Sequence, residues 1–228
     1  MHLHDLIYTF IASFLALFPP VNPIGDSLIV NRYTMGLNEK ERKQIVWRIT
    51  RNCMVVGISS LFVGHFVLQL FGLATPVVQF AGGMLIFKTG MEGLVDTSDK
   101  IQMKNDSEQI IAEKSSLNEI KSKIFYPLSF PICIGPGTIS VIFTLMANSS
   151  KKEGGLLVVF TNYAIIILAI LVLCALIYIF CIQGQKLILH LGESGILVIM
   201  KLVSFITVCI GIQIAVTGIS KIFHLTIL

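Results

Sequence analysis

Apolar residues along the chain fall into six long runs, at about 5–31, 52–71, 77–95, 124–147, 155–182 and 195–220, with polar stretches between them. Each run is close to or above the roughly 20 residues that an α-helix needs to cross a bilayer, and none alternates with period two. The pattern predicts six membrane helices, not a barrel. The first and fourth runs are longer than a span requires. Each has a cluster of helix breakers near its middle: Pro19-Pro20-Val21-Asn22-Pro23-Ile24-Gly25 and Pro131-Ile132-Cys133-Ile134-Gly135-Pro136-Gly137-Thr138. A proline inside a helix removes one backbone donor and strands the carbonyl four residues earlier, and glycine lets backbone approach closely. Hydrocarbon cannot satisfy such groups, so broken backbone at membrane depth has to be buried in protein or line a wet cavity.

The breaks also organise the chain. Three spans precede the polar connector and three follow it, so the second half enters the membrane from the opposite side with its break in the matching span. The expected fold is an all-α integral membrane protein built as a 3+3 inverted-topology repeat, with the first and fourth spans broken. Residues 1–95 form the first repeat, 96–123 a cytoplasmic connector and 124–228 the second repeat. Phe18-Pro19 corresponds to Phe130-Pro131, Asn22-Pro23 to Gly135-Pro136, and Gly90-Met91-Glu92 to Gly211-Ile212-Gln213.

Charge fixes an orientation. Arg32, Lys40, Arg42 and Lys43 lie between the first two runs, and Lys100, Lys104, Lys114, Lys121 and Lys123 between the third and fourth. Those loops are expected in the cytoplasm, which puts both chain ends outside. The first run has no basic flank and no small-residue cleavage site, so it is expected to remain as a span. Asn38-Glu39-Lys40-Glu41 reads as a capping box opening the second helix, with Trp47 at the interface. With 54% hydrophobic and 13% charged residues and a mean hydropathy of +0.83, little sequence remains for a large soluble domain. The net charge of +4 sits in loops and reads as topology, not as a nucleic-acid surface. Cys53, Cys133, Cys174, Cys181 and Cys209 all lie in apolar runs without CxxC spacing and read as small hydrophobes.

The chemistry predicted at the breaks follows from helix ends. The half-helices that begin near Ile24-Gly25 and Gly137-Thr138 would present free N–H groups and a positive dipole end to a carboxylate. The carbonyls freed at Pro19 and Ile132 would suit an ammonium group. Asn22, Pro23, Gly25, Gly135, Pro136, Gly137 and Thr138 are therefore the candidate substrate-binding residues; two packed kinks are the plain alternative. Asp26, Glu92 and Gln213 are candidates for a coupling ion, H⁺ or Na⁺. For Asp26 the plainer role is to cap the half-helix, and for Lys88 and Glu92, four residues apart, it is to pair on one face. His65 reads first as a packing residue. Gly82, Gly83, Gly90, Gly211 and Gly218 give small-residue faces for close helix approach. The sequence has no Walker loop, HExxH, CxxC pair or G-x-S-x-G, so neither an enzyme nor a metal or cofactor is expected.

These residues resemble the MarC/SnatA family of six-span small neutral amino acid transporters over essentially the whole chain. The resemblance rests on Phe18 through Gly25, on Asn38-Glu39-Lys40-Glu41-Arg42-Lys43 leading to Arg48, on Ala81-Gly82-Gly83, on Pro127-Leu128-Ser129-Phe130-Pro131 through Thr138, and on Gln213 through Ile219. It implies a cytoplasmic (inner) membrane protein, grouped with LysE-like exporters, that moves glycine, alanine and similar amino acids with a lean to export. Family members often follow Ile-Gly with Asn and then a proline two residues on, where this chain has Asp26-Ser27-Leu28; substrate and coupling ion are in question at that point. A passive channel and a lipid-handling protein stay open as other classes, and so does a homo-oligomer.

Overall fold

A computed structural model describes residues 3–34, 36–95, 117–150 and 155–223. Every element among them is helical. In chain order these are α1 (Leu3–Val21), α2 (Pro23–Tyr33), α3 (Glu39–Leu70), α4 (Thr75–Val95), α5 (Leu117–Lys123), a π-type stretch (Ile124–Cys133), α6 (Pro136–Ser150) and α7 (Gly155–Phe223). The connector at 96–116 and the basic pair Lys151-Lys152 lie outside the described residues.

Local chemistry sets the boundaries. The capping box forms as the sequence predicts: Glu41 N–H donates to Asn38 Oδ1 at 2.9 Å and Asn38 N–H donates back to Glu41 Oε2 at 3.2 Å, starting α3. Gly72, at φ 62°, stops it, and Leu73 N–H returns to the Leu68 carbonyl at 2.8 Å. The long helix α7 breaks at Gly192, whose φ 66° and ψ 168° only glycine adopts readily.

Three stretches among the described residues are long and apolar enough to cross a membrane: His4–Tyr33, Leu157–Gln183 and Leu197–Phe223. Glu119–Cys133 with Pro136–Ser149, bent by 59°, makes a fourth. The second and third expected spans fall on α3 and α4, which are helical but do not join that set; α4 holds Gln79, Lys88 and Glu92, and α3 opens with a charged third. The two breaks also differ from the symmetric expectation. His4–Tyr33 reads as one 30-residue span through the first break, whereas the second bends sharply.

Packing brings the later helices alongside the earlier ones. Trp47 meets Tyr178 edge-on, a Cβ on Gly57 would touch Ile170, and Phe62 meets Tyr163. As numbers rise along α3 they fall along α7, so α3 runs antiparallel to the first arm of α7. The same holds for α4 and the second arm. A Cβ on Gly83 would stand 2.7 Å from the Gly211 carbonyl oxygen, and one on Gly90 would stand 3.0 Å from that of Ser204. Lys201 Nζ closes one end on the carbonyls of Gly93 and Leu94, at 3.1 and 2.6 Å, and Lys221 Nζ reaches Gln79 Oε1 at 3.2 Å at the other. The core between these pairs includes Leu17, Ile49, Leu61, Ile86, Ile142 and Leu173. Large apolar side chains such as Tyr8, Phe66, Leu157, Phe160 and Phe205 are exposed, which suits an exterior facing lipid.

Candidate functional site

At the first break the interruption is a single residue. Asn22 takes the left-handed conformation (φ 41°, ψ 62°) that Asn tolerates better than most residues, and Pro23 opens α2 at the position where its missing N–H costs nothing. Asn22 Oδ1 accepts from Gly25 N–H at 3.2 Å. The cap of α2 is thus Asn22, and the capping role expected for Asp26 is already filled. A Cβ on Gly25 would collide with the Asn22 side chain, so glycine there is what lets the cap fold back.

The second break is built differently. Ile134 is extended (φ −128°, ψ 98°), its N–H donates to the Ser129 carbonyl at 3.0 Å, and Pro136 opens α6. Gly135 has no side chain to do for Gly137 and Thr138 what Asn22 does for Gly25. Gly137 is turned toward α4, where a Cβ would stand 3.1 Å from Ile86 Cγ1. Its missing side chain therefore lets α6 and α4 pack closely at this point.

The two breaks touch. Thr138 Oγ1 donates to the Pro20 carbonyl at 3.2 Å, joining the start of α6 to the end of α1. Beside this link is a cavity of about 10 Å³, lined by Leu17, Val21, Ile134, Thr138, Ile142 and residues of the first arm of α7. That is room for about one water molecule. In this arrangement the start of α6 meets the end of α1 across a mostly apolar contact.

Asp26 is 6% exposed, and its Oδ2 has no hydrogen-bond partner. It lies beside Cys53 and Cys133, so the first break touches the second on this side as well. The other two coupling candidates are elsewhere. Glu92 pairs with Lys88 at 3.9 Å with both side chains well exposed (64% and 73%), and Gln213 is exposed and reaches Thr217 Oγ1 at 3.5 Å. The side chain of His65 lies outside what is described.

Several polar residues at this core are ones the sequence reading did not single out as site residues. Ser129 is fully buried, donates to the Ile124 carbonyl at 2.6 Å and accepts from Asn52 Nδ2 at 3.3 Å, which pins the π-type stretch to α3. Arg42 Nη2 donates to Asn31 Oδ1 at 2.6 Å and to the Cys181 carbonyl at 2.7 Å, tying α3, α2 and α7 together. Asn162 in α7 is buried with both amide atoms unpartnered. Asn and Ser within apolar runs could have flagged Ser129 and Asn162, whereas Arg42 stood only among the loop charges; the residues that Arg42 and Ser129 join across helices are distant in sequence.

The profile of the MarC family integral membrane protein matches residues 7–223. This chain belongs to the MarC family. A UPF0056 membrane protein of Pyrococcus abyssi is 26% identical over 219 residues, covering 96% of this chain and 98% of its own length. The UPF0056 inner membrane protein MarC of Salmonella typhimurium is 25% identical over 224 residues, with 96% and 97% covered. A UPF0056 membrane protein of Methanocaldococcus jannaschii is 25% identical over 221 residues, with 96% and 90% covered. No solved structure matches this chain. For a MarC-family chain with several apolar helices the consequence is direct: it is a multi-pass integral membrane protein.

Proposed function

We propose that this chain is a secondary transporter of small neutral amino acids such as glycine and alanine, and that it works from a 3+3 inverted repeat of six spans in the cytoplasmic membrane with both ends outside. The observation that carries the reading is the direct link between the breaks, Thr138 hydroxyl to Pro20 carbonyl. Two unrelated kinks have no reason to meet, whereas the two halves of one binding site must.

Packing supports six spans. α4 runs beside the second arm of α7 from the Lys201 end to the Lys221 end, and α3 runs beside the first arm, so each shares the depth of a helix that can cross a bilayer. The antiparallel pairing of α4 with the second arm of α7, Gly83 beside Gly211 and Gly90 beside Ser204, is compatible with the repeat. A localisation in the inner membrane agrees with the name of the Salmonella relative.

In this reading the substrate carboxylate binds the N–H groups at the starts of α2 and α6, taking from Gly25 the bond that Asn22 Oδ1 now makes. The space between the breaks opens for substrate and closes around it, which keeps the substrate small. Counterflow in proteoliposomes tests the proposal. Vesicles loaded with unlabelled alanine should transiently accumulate labelled glycine or alanine, with saturation. Flux that neither saturates nor shows counterflow would make the protein a channel, and no flux of any small neutral amino acid would overturn the proposal.

A further inference from the structure

Away from the breaks, α3 and α5 enclose a basic groove. Lys121 of α5 stands with Glu41, Gln44, Ile45 and Arg48 of α3 around a cavity of about 10 Å³. Arg48 and Lys121 are exposed, and so is Arg51, one turn further along α3. Among the described residues these three cations make no salt bridge. The neighbouring acids are committed elsewhere: Glu41 Oε2 accepts from Asn38 N–H at 3.2 Å in the capping box, and Glu119 Oε1 pairs with Lys123 Nζ at 2.9 Å. The groove therefore carries an excess of positive charge. Its depth follows from the helix alongside. A Cβ on Gly57 would touch Ile170, the centre of the apolar stretch Leu157–Gln183. At 1.5 Å rise per residue Arg48 lies about 13 Å from that level, against about 15 Å for half the hydrocarbon thickness. Helical side chains lean toward the N-terminus, which for α3 is the headgroup side, so Arg48 ends among lipid phosphates and Arg51 reaches them by extending its stem. Phe125 and Tyr126 are both more than half exposed. They follow Lys121 and precede Ser129, which is fixed to Asn52 and the Ile49 carbonyl, so they flank the groove on its membrane side.

We propose that this groove binds one anionic phospholipid, with Arg48 and Lys121 on its phosphate, Arg51 adding charge from the membrane side, and an acyl chain against Phe125 and Tyr126. A guanidinium fork and an ammonium group together match the oxygens of a phosphate diester. The cavity has room for about one water, so the phosphate caps its mouth and does not enter it. The excess of positive charge selects a headgroup with no ammonium of its own over a zwitterionic one. Held in this way, the lipid bridges α3 to α5 and the π-type stretch, and reinforces the join that Ser129 makes just before the second break. The inference rests on α3 lying in the bilayer beside the first arm of α7, and is independent of what the protein carries.

Trp47 is the one tryptophan of the chain and adjoins Arg48, so its fluorescence reports on the site. Wild-type protein in phosphatidylcholine nanodiscs is given small amounts of phosphatidylglycerol brominated on its acyl chains, and the quenching of Trp47 is compared with that by brominated phosphatidylcholine. Phosphatidylglycerol should quench at a roughly tenfold lower mole fraction. Arg48→Gln and Lys121→Gln should each reduce that preference about fivefold, the weight of one basic residue near an anionic surface. Lys40→Gln removes the same charge from an exposed position that does not line the groove and should leave the preference unchanged. Millimolar inorganic phosphate should not relieve the quenching. In the same discs phosphatidylglycerol should raise the unfolding temperature of the wild type and not that of the Arg48→Gln/Lys121→Gln double variant. Equal quenching of the wild type by the two lipids, which needs no variant to fold, would overturn the proposal. So would a loss in Lys40→Gln as large as in Arg48→Gln, the mark of diffuse surface charge, and so would displacement by inorganic phosphate, the mark of a site for free anions. Each of these outcomes leaves the transporter reading standing, since none measures transport.

Discussion

At the scale of single residues, Asn22 combines two roles that can be separated. Its backbone is left-handed, and its side chain caps α2. Asn22→Gly keeps the backbone free to turn and costs only a few tenths of a kcal/mol as a cap, whereas Asn22→Ala loses the cap and strains the turn, at about 1–2 kcal/mol. Thermal unfolding in detergent should rank the wild type near Gly and well above Ala. If the amide also contacts substrate, both variants should bind alanine roughly ten- to a hundredfold more weakly, the loss of one hydrogen bond to a charged group. Calorimetry separates the effects, and wild-type affinity in Asn22→Gly would take Asn22 out of the site. Asn22 was legible in the sequence because Pro-x-Asn-Pro-x-Gly is a local signal. The isolation of Asp26 was not, since it depends on Cys53 and Cys133, which the fold brings up from far along the chain.

At the scale of elements, the two breaks share an opening proline but not a shape. The sequence predicted both interruptions and the proline starts. It did not predict the π-type stretch before the second, which Ser129 holds against α3 through long-range bonds with Asn52 and the Ile49 carbonyl that no local pattern encodes. The link between breaks should be sensitive to one hydroxyl. Thr138→Val leaves the Pro20 carbonyl without its donor and should destabilise by about 1–3 kcal/mol, while Thr138→Ser should restore the bond and the stability. If valine unfolds at the same temperature as the wild type, the link contributes nothing. The glycine seam between α4 and the second arm of α7 makes a separate prediction. Lipid tails are as apolar as the seam, so close packing and not hydrophobicity holds these helices together. Gly211→Val pushes against the backbone of Phe87 and should cost about 1–3 kcal/mol, and Gly211→Ala less. Equal melting temperatures for all three proteins would refute the seam.

At the scale of the whole molecule, Lys201 and Lys221 are about 30 Å apart along their helix at 1.5 Å rise per residue, close to the hydrocarbon thickness of a bilayer. Their partners, at opposite ends of α4, give the molecule two polar edges. With the basic loops inside, an impermeant thiol reagent applied from outside should label Lys221→Cys and not Lys201→Cys, and a reporter fused to the C-terminus should behave as extracytoplasmic. The reverse pattern would invert the orientation. The lysine distribution is what predicts this orientation from sequence, and the apolar runs at 52–71 and 77–95 are what predict spans on α3 and α4; neither helix joins the set long and apolar enough to cross a membrane, because each carries polar residues along its length.

The closed contact between the breaks also has an electrical meaning. Protons and ions cross a membrane protein along files of water, and a cavity of about 10 Å³ walled by Leu17, Val21, Ile134 and Ile142 holds too little water for a file. In the proposed transporter the voltage across the membrane would therefore not leak through the contact between the breaks.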